Sequence, residues 1–540
     1  MTNNNQAAPP DAQLTATIAR ARSQQLGDLL RRSAARTPNK TALVFRGQRD
    51  SFAELDRVVN RCANALAARG ITKGDRVALY SHNNRAFVVI RFALARLGAV
   101  MTPVNFMLSA DDVAYILDHS GARAIIAEDA LCTTADAALA QLDQPMLFRL
   151  SISHALDSLP IGWEAAEALF DHADDSAPYV EIAGDDPIQM MYTSGTESRP
   201  KGALLSSDAL FAQYGSCISD GEMSASDIEL HCLPLFHCAQ LDCFLTPDLY
   251  LGATSILMEA ADPGLMLEAI AAEGVTKLFC PPTVWIALLR HPDFDTTDLS
   301  ALRKGYYGAS IMPTAIIEEL TTRLPNLRLF NFYGQTEMAP VATILLPHEQ
   351  LSKLGSAGRP ALNVETRVVD DAGNDLPVGE VGEIVHRSPH LILGYYNDPA
   401  KTAEAFEGGW FHSGDLGRFD EDGYLYVVDR KKDMIKTGGE NVASREVEEA
   451  IFRHPSVAEV AVFGVPHPKW IEGVTAVIVP KPGEEVTIEA LQAYCGDTLA
   501  NFKRPKHVAI VEALPKNASG KILKKDLRIE YAGVFAGGTT

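Results

Sequence analysis

No apolar run in the sequence approaches the roughly 18 residues of a membrane-spanning helix. The polar opening MTNNNQAAPPDAQL lacks the basic-then-apolar order of a secretory leader, so a cytoplasmic protein is expected, with residues 1 to 22 as a flexible tail. Cysteine is scarce, eight in 540 residues. Cys62, Cys132, Cys217 and Cys495 stand isolated, which excludes a disulfide scaffold and fits a reducing compartment. Positive charge is in deficit, 48 basic against 69 acidic residues for a net charge of -21. Such a balance opposes non-specific attraction to nucleic acid or anionic membranes, and any nucleotide chemistry must come from a local site. No repeat with a period of 20 to 50 residues is present, which excludes a solenoid.

What is present is ordinary globular composition, 47% hydrophobic and 22% charged, in a chain long enough for two to four domains. Phe52, Leu55, Val59, Cys62 and Leu66 recur at helical spacing behind a Ser51–Glu54 capping box, with Gly70 as a stop. DRVALY (75–80), RAFVVIRFALARLGA (85–99) and RAIIAE (123–128) then read as strand, helix, strand. The same alternation returns at TSILM (254–258), DPGLMLEAIAAEG (262–274) and TKLFCP (276–281), with a helix after Pro282. Two wound α/β subdomains with largely parallel sheets are expected. Between about 355 and 430, short β-rich pieces separated by DDAGNDLPVGE, GYYNDP, EGGWFHSGD and DEDGY predict a small β subdomain. SREVEEAIFRH, AEVAVFGV, GVTAVIVP and a helix from Thr487 to Leu499 predict a small α+β domain over 433–540. The boundary lies in the charged segment Arg430 to Asp433, leaving 23–432 as the large domain.

MMYTSGTESRPKGALLSS (190–207) places hydroxyls, glycines and Lys201 between an apolar strand and a helix, the ingredients of a phosphate cradle. Gly202 after Lys201 excludes a Walker P-loop, and the segment taken alone reads more readily as an ordinary Gly/Ser turn. Together with NFYGQTE (331–337), FHSGD (411–415), DRKKDMIKTGGENV (429–442) and LPKNASGKI (514–522), it follows the order and spacing of the adenylate-forming superfamily. Over residues 25 to 530 the chain resembles the acyl-CoA synthetases of that superfamily.

The resemblance implies an ATP- and Mg2+-dependent acid:CoA ligase, which joins a carboxylate to AMP with release of pyrophosphate and then passes the acyl group to coenzyme A. It implies that Thr193, Ser194, Gly195, Thr196 and Lys201 hold the β- and γ-phosphates, that Thr336 meets the α-phosphate and that Glu337 binds Mg2+. Tyr333 stacks on adenine, while Asp415 and Arg430 hold the ribose. Lys521 reaches the acyl carboxylate and α-phosphate during adenylation; Gly438 and Gly439 open the thiol path; Arg504 and Lys506 in FKRPK contact the CoA phosphates. The small domain turns about Lys432 between the two steps. Glu197-Ser198-Arg199 departs from the Thr, Gly and apolar residue usual in the phosphate loop.

HCLPLFHCAQLDCF (231–244) holds His231, Cys232, His237, Cys238 and Cys243, but without the paired spacing of structural zinc. The resemblance instead puts Phe236 and His237 at the acyl pocket. His237 stands where amino-acid-activating members carry an Asp for the substrate ammonium, and Leu241 stands where some long-chain members carry a Trp gate. A pocket of Phe236, Leu241, Tyr307, Gly308, Ala309 and Ser310 suits a hydrophobic acid, medium- or long-chain fatty in first place and aromatic as the alternative. Two further readings are an acyl-AMP ligase that loads a carrier protein and a binding scaffold without turnover. The first lacks an inserted segment near the hinge, and the second is opposed by Lys201, Glu337, Asp415 and Lys521 occurring together. A homodimer is left open.

Overall fold

The computed structural model describes residues 21–536 except 157, 194–198, 311 and 518–519, and residues 14, 17 and 18 besides. The expected tail therefore lies almost wholly outside the described residues. Local signals act as the sequence predicts. Ser51 Oγ accepts from Glu54 N–H at 3.3 Å while Glu54 accepts from Ser51 N–H at 2.9 Å, starting the helix Phe52–Ala68. Asn84 caps the helix Arg85–Leu97, Gly98 ends it in the left-handed region, and every residue from Ala86 to Leu97 is buried. That complete burial explains why its sequence is apolar on every side except at Arg91 and Arg96, which pair with Asp242 and Asp56.

The fold is α/β, with a large N-terminal domain of mixed sheets and a smaller C-terminal domain. In the eight-stranded sheet, Val100–Val104, Arg76–Tyr80, Ala124–Glu128 and Phe148–Ile152 run parallel, and Pro187–Thr193 and Lys201–Ser206 form an antiparallel hairpin toward one edge. The nine-stranded sheet has parallel neighbours Thr254–Leu257, Ile228–His231, Lys277–Phe279, Lys304–Gly308 and Arg328–Gly334 at its centre. Its far edge is the hairpin Thr41–Phe45 and Gln48–Ser51, which pairs with Thr254–Leu257 across some 200 residues of chain, Leu43 opposite Ser255. Glu365–Val369, Gly382–Arg387, Phe411–Phe419 and Leu425–Arg430 make the four-stranded antiparallel sheet. The C-terminal domain is built on the antiparallel pair Val457–His467 and Ile471–Pro480. Among the described residues no helix is long and apolar enough to cross a membrane, and all eight cysteines are buried thiols.

Beneath the nine-stranded sheet's centre lies a dry ionic cluster. Glu229 and Lys277 face each other on adjacent parallel strands, and the Lys277 ammonium is 2.7 Å from Glu229 Oε2 and also bonds Asp248. His231 adds contacts to Gln240 at 2.7 Å and Asp248 at 3.5 Å. Glu229, His231 and Asp248 form the one group of metal-ligand type among the described residues, and Lys277 already supplies its cation. Burial pushes the Glu229 and Asp248 carboxyls up, Lys277 opposing. Against the burial that would depress it, Asp248 and Glu229 hold the Lys277 ammonium above its usual range.

Removing one partner of such a pair leaves an uncompensated charge in the core. Lys277→Met should cost about 3–5 kcal/mol in urea denaturation. A loss below about 1 kcal/mol, the worth of an exposed pair, would show that the cluster is not needed.

Candidate active site

Four of the motifs meet on one side of the large domain. Asp415 lies on Phe411–Phe419 directly opposite Arg430 on Leu425–Arg430. That register puts Arg430 Nε 2.9 Å from Asp415 Oδ1, while the Tyr333 hydroxyl donates to Asp415 Oδ2 at 2.7 Å. Burial, and then the Asp415 charge, pushes the Tyr333 phenol far up, so it stays a donor. Tyr333 ends on Arg328–Gly334, whose last residue must be glycine: a Cβ on Gly334 would lie 1.9 Å from the Pro340 carbonyl oxygen.

The turn Thr336–Met338 follows. Thr336 Oγ1 lies 3.3 Å from Cys238 Sγ, and Glu337 Oε1 accepts from the Tyr395 hydroxyl at 2.9 Å. Glu337 Oε2 carries no hydrogen bond among the described residues. The face of the Tyr395 ring lies 4.2 Å from Lys201 Nζ, so Tyr395 joins the lysine to the carboxylate. Sequence reading missed this residue because GYYNDP looks like a turn. Thr193 and Lys201 end and begin adjacent antiparallel strands in direct register. Ser194, Gly195 and Thr196 lie outside the described residues, as do Glu197 and Ser198. Arg199 sits 4.9 Å over the Tyr115 ring, whose hydroxyl donates to the Pro200 carbonyl at 3.0 Å.

Lys521 comes to this place from the C-terminal domain. Its loop rests on the large domain, with the Thr283 hydroxyl donating to the Gly520 carbonyl at 3.3 Å. Although Lys521 reaches solvent, enclosure by the cleft and then the Arg430 guanidinium hold its ammonium below the ordinary range, Asp415 and Asp433 opposing. Lys432 beside it is likewise solvent-accessible, yet partial enclosure and then Arg430 bring it down to about 8. His237 is brought down to about 4 by burial and then by Lys521, and so is neutral at pH 7. Its Nδ1 accepts from Ala239 N–H at 3.1 Å, which places the ring proton on Nε2 by the hydrogen-bond network.

Of the acid-pocket candidates, Phe236 adjoins His237 in the chain and Leu241 N–H donates to the His237 carbonyl at 3.3 Å. Leu241, Tyr307 and Gly308 are buried, Phe236 is half-buried, and Ala309 and Ser310 are exposed beyond the strand Lys304–Gly308. Ala309 has φ 62, a left-handed conformation in a residue with a side chain. The Tyr307 hydroxyl is turned away to Gln350 at 2.7 Å. Gly438 and Gly439 lie elsewhere, at the hairpin turn between Ile435–Thr437 and Glu440–Val442, with φ 62 and 90. Gly438 N–H donates to the Trp470 carbonyl at 3.0 Å, and Lys506 Nζ lies 4.9 Å over the Trp470 ring. Arg504 donates to the Leu499 and Gly496 carbonyls at 3.0 and 2.7 Å, closing the end of the helix Ile488–Thr498.

Comparison with known proteins agrees with this geometry. Residues 30–396 match the family model described as AMP-binding enzyme, and residues 446–521 match that of the AMP-binding enzyme C-terminal domain. A feruloyl-CoA synthase of an Amycolatopsis species is 38% identical over 94% of this chain and 100% of its own. A long-chain-fatty-acid–CoA ligase of Mycobacterium tuberculosis is 36% identical over 94% of this chain and 99% of its own. The crystal structure of the anthranilate CoA ligase AuaEII in complex with anthranoyl-AMP is similar with a TM-score of 0.88 and 26% identity, covering 95% of this chain and 98% of that one.

The crowding of cations gives a direct prediction. A lysine held at about 8 instead of 10.5 disfavours the folded state at low pH, and that penalty fades as pH rises from 8 to 10.5. In NMR of the 13C-dimethylated protein, one resonance, absent in Lys432→Ala, should titrate near pH 8 and move up in Arg430→Gln. A Lys432 signal titrating with the surface lysines would contradict the arrangement.

Proposed function

The chain belongs to the AMP-binding enzyme family and is an AMP-forming acid–thiol ligase, and we propose that it joins an uncharged hydrophobic carboxylic acid to coenzyme A through an acyl-AMP. The observation that carries this reading is the convergence of Arg430, Lys432 and Lys521 on Asp415, with Lys521 also acting on His237. A carboxylate attacks the α-phosphorus of ATP only if the negative charge gathering there and on the leaving pyrophosphate is compensated. Lys521 and Thr336 would face the α-phosphate, and Thr193, Ser194, Gly195, Thr196 and Lys201 the β- and γ-phosphates. Tyr333, Asp415 and Arg430 would hold the nucleoside. His237, protonated on Nε2, would donate to the acid's carboxylate and aim it.

Glu337 suits Mg2+: one carboxylate oxygen is fixed by Tyr395 and the other is left for a hard cation that takes its remaining ligands from phosphate and water. When bound, the ion would neutralise charge on the phosphate oxygens as pyrophosphate departs. In the second step the CoA thiol attacks the acyl carbonyl and AMP leaves. For this step we infer a turn of the small domain, beginning near 433, about Lys432. The Gly438–Gly439 turn, Lys506 and Arg504 would then face the acceptor.

Two features support a compact acid within the hydrophobic class. Neutral His237 offers no charge to pair an α-ammonium. Leu241 is itself fully buried, and Phe244 of the same segment is committed to the core, stacked on Phe279 at 4.3 Å with Tyr306 at 5.1 Å and Phe332 at 5.6 Å. On these grounds, and because the feruloyl and anthranilate relatives are named for aromatic acids, we place an aromatic or medium-chain acid ahead of the long chain for which the Mycobacterium ligase is named.

Pyrophosphate release measured with benzoate, ferulate, octanoate, palmitate and phenylalanine, with and without CoA, tests the reading. At least one of benzoate, ferulate and octanoate should exceed palmitate and phenylalanine by about tenfold in kcat/KM, the scale of hydrophobic-pocket discrimination. Best turnover of phenylalanine would overturn the pocket assignment.

The two half-reactions separate the domain's two faces. Lys521→Ala should slow acyl-AMP formation by about 10²–10³, the effect of losing one charge-stabilising donor, yet still convert supplied acyl-AMP to thioester. Gly438→Leu should do the reverse. Equal loss of both steps in each variant would refute the alternation.

A further inference from the structure

The segment that follows His237 is wound too loosely for an α-helix. Ala239–Leu245 is a seven-residue π-helix in which the Leu241 carbonyl accepts from the N–H of Thr246, five residues on. The π form is rare and holds one extra residue per turn at the expense of good packing, so something must stabilise it. Here the anchors are side chains. The Thr246 hydroxyl donates to the same Leu241 carbonyl at 2.8 Å. Arg91, buried in the helix Arg85–Leu97, donates through Nη2 to Asp242 Oδ1 at 2.6 Å and to Thr246 Oγ1 at 3.2 Å. One guanidinium thus grips the π-helix at two points. Gln189 donates to Asp242 Oδ2 at 2.8 Å and accepts from Arg91, and the Tyr214 hydroxyl adds a contact to Asp242 at 3.3 Å. Gln240 is tied down on the other side, to His231 at 2.7 Å and Leu233 N–H at 3.3 Å.

The front of the same segment faces the reaction centre. Cys238 lies 3.3 Å from Thr336, Ala239 N–H fixes the His237 ring, and Leu241 N–H donates to the His237 carbonyl at 3.3 Å. If the extra residue were lost to an α-helical register, side chains on one side of the slip would turn by about 100°, one residue's rotation. Leu241 and Asp242 would then both leave their present places, and Asp242 would lose its alignment with Arg91.

We propose that Arg91 is a positioning residue for acid selection: by clamping Asp242 and Thr246 it fixes the π-helix, and so fixes Cys238 and Leu241 as the wall against which the acid is sized. Asp242 and Thr246 act with it. None of the three touches the acid, and the proposal rests on the acid–thiol ligase reading, in which that wall belongs to the acid pocket.

The test uses acid-dependent pyrophosphate release without CoA, so it does not depend on the acceptor. Thr246→Val removes the hydroxyl that joins Arg91 to the Leu241 carbonyl and leaves no charge unpaired. Arg91→Met/Asp242→Leu removes the pair together, since Arg91→Met alone would strand a buried carboxylate. In whichever variant melts cooperatively, the ratio of kcat/KM for octanoate to that for benzoate should shift about tenfold, with the KM for ATP within about twofold of the unmodified enzyme. An unshifted ratio, or an equal fall for every acid, in folded Thr246→Val overturns the positioning role. Absence of CoA stimulation in the unmodified enzyme would overturn the ligase reading and leave the ratio to judge Arg91.

Discussion

Concentrating positive charge at a seam between two domains is the constraint on which the rest of the structure depends. Arg430, Lys432 and Lys521 repel one another, and each is less costly to hold because Asp415 and Asp433 stand among them. The large domain supplies the carboxylate Asp415 and the cation Arg430 on neighbouring strands; the small domain supplies Lys521. Lysine ammoniums pulled down in this way bind a polyanion with little loss, since the ligand relieves repulsion already present. The site's affinity for phosphate is thus built from mutual repulsion within a chain whose net charge is -21.

Much of this was legible in the residues. The capping box at Ser51, the alternation of strand and helix and the β-rich stretch before 430 rest on local chemistry, and each forms where that chemistry places it. The glycine of NFYGQTE is explained by a carbonyl 1.9 Å from its missing Cβ, a backbone approach that a motif records without showing. What was not legible depends on distant partners. The hairpin Thr41–Ser51 joins the second sheet instead of the first because its partner strand comes some 200 residues later. Tyr395 looked like a turn aromatic and sits between Lys201 and Glu337. The π-helix could not be read from HCLPLFHCAQLDCF, since its cause lies in Arg91, in another subdomain.

The seam itself is lightly made in polar terms. Thr283 with Gly520 and Thr314 with Glu449 at 2.7 Å are single hydrogen bonds at the edge of solvent, each worth about 1 kcal/mol net. Close to the hinge the bonds are of another kind: Asp429 accepts from the buried Ser444 N–H at 2.6 Å, and Asp433 pairs with Arg528 at 2.9 Å. Asp429 stands on the large-domain strand Leu425–Arg430, so its bond to Ser444 crosses the seam, as does that of Arg445 to the Val427 carbonyl, whereas Asp433 and Arg528 both belong to the small domain. The arrangement is strong near the pivot and weak far from it. In the rotation proposed above, the Thr283 and Thr314 contacts would be given up to water, while the bonds of Ser444 and Arg445 beside the hinge would have to be exchanged for others. The same asymmetry would favour the proposed rotation about the short charged segment that holds Lys432 and Asp433 over a general loosening of the small domain.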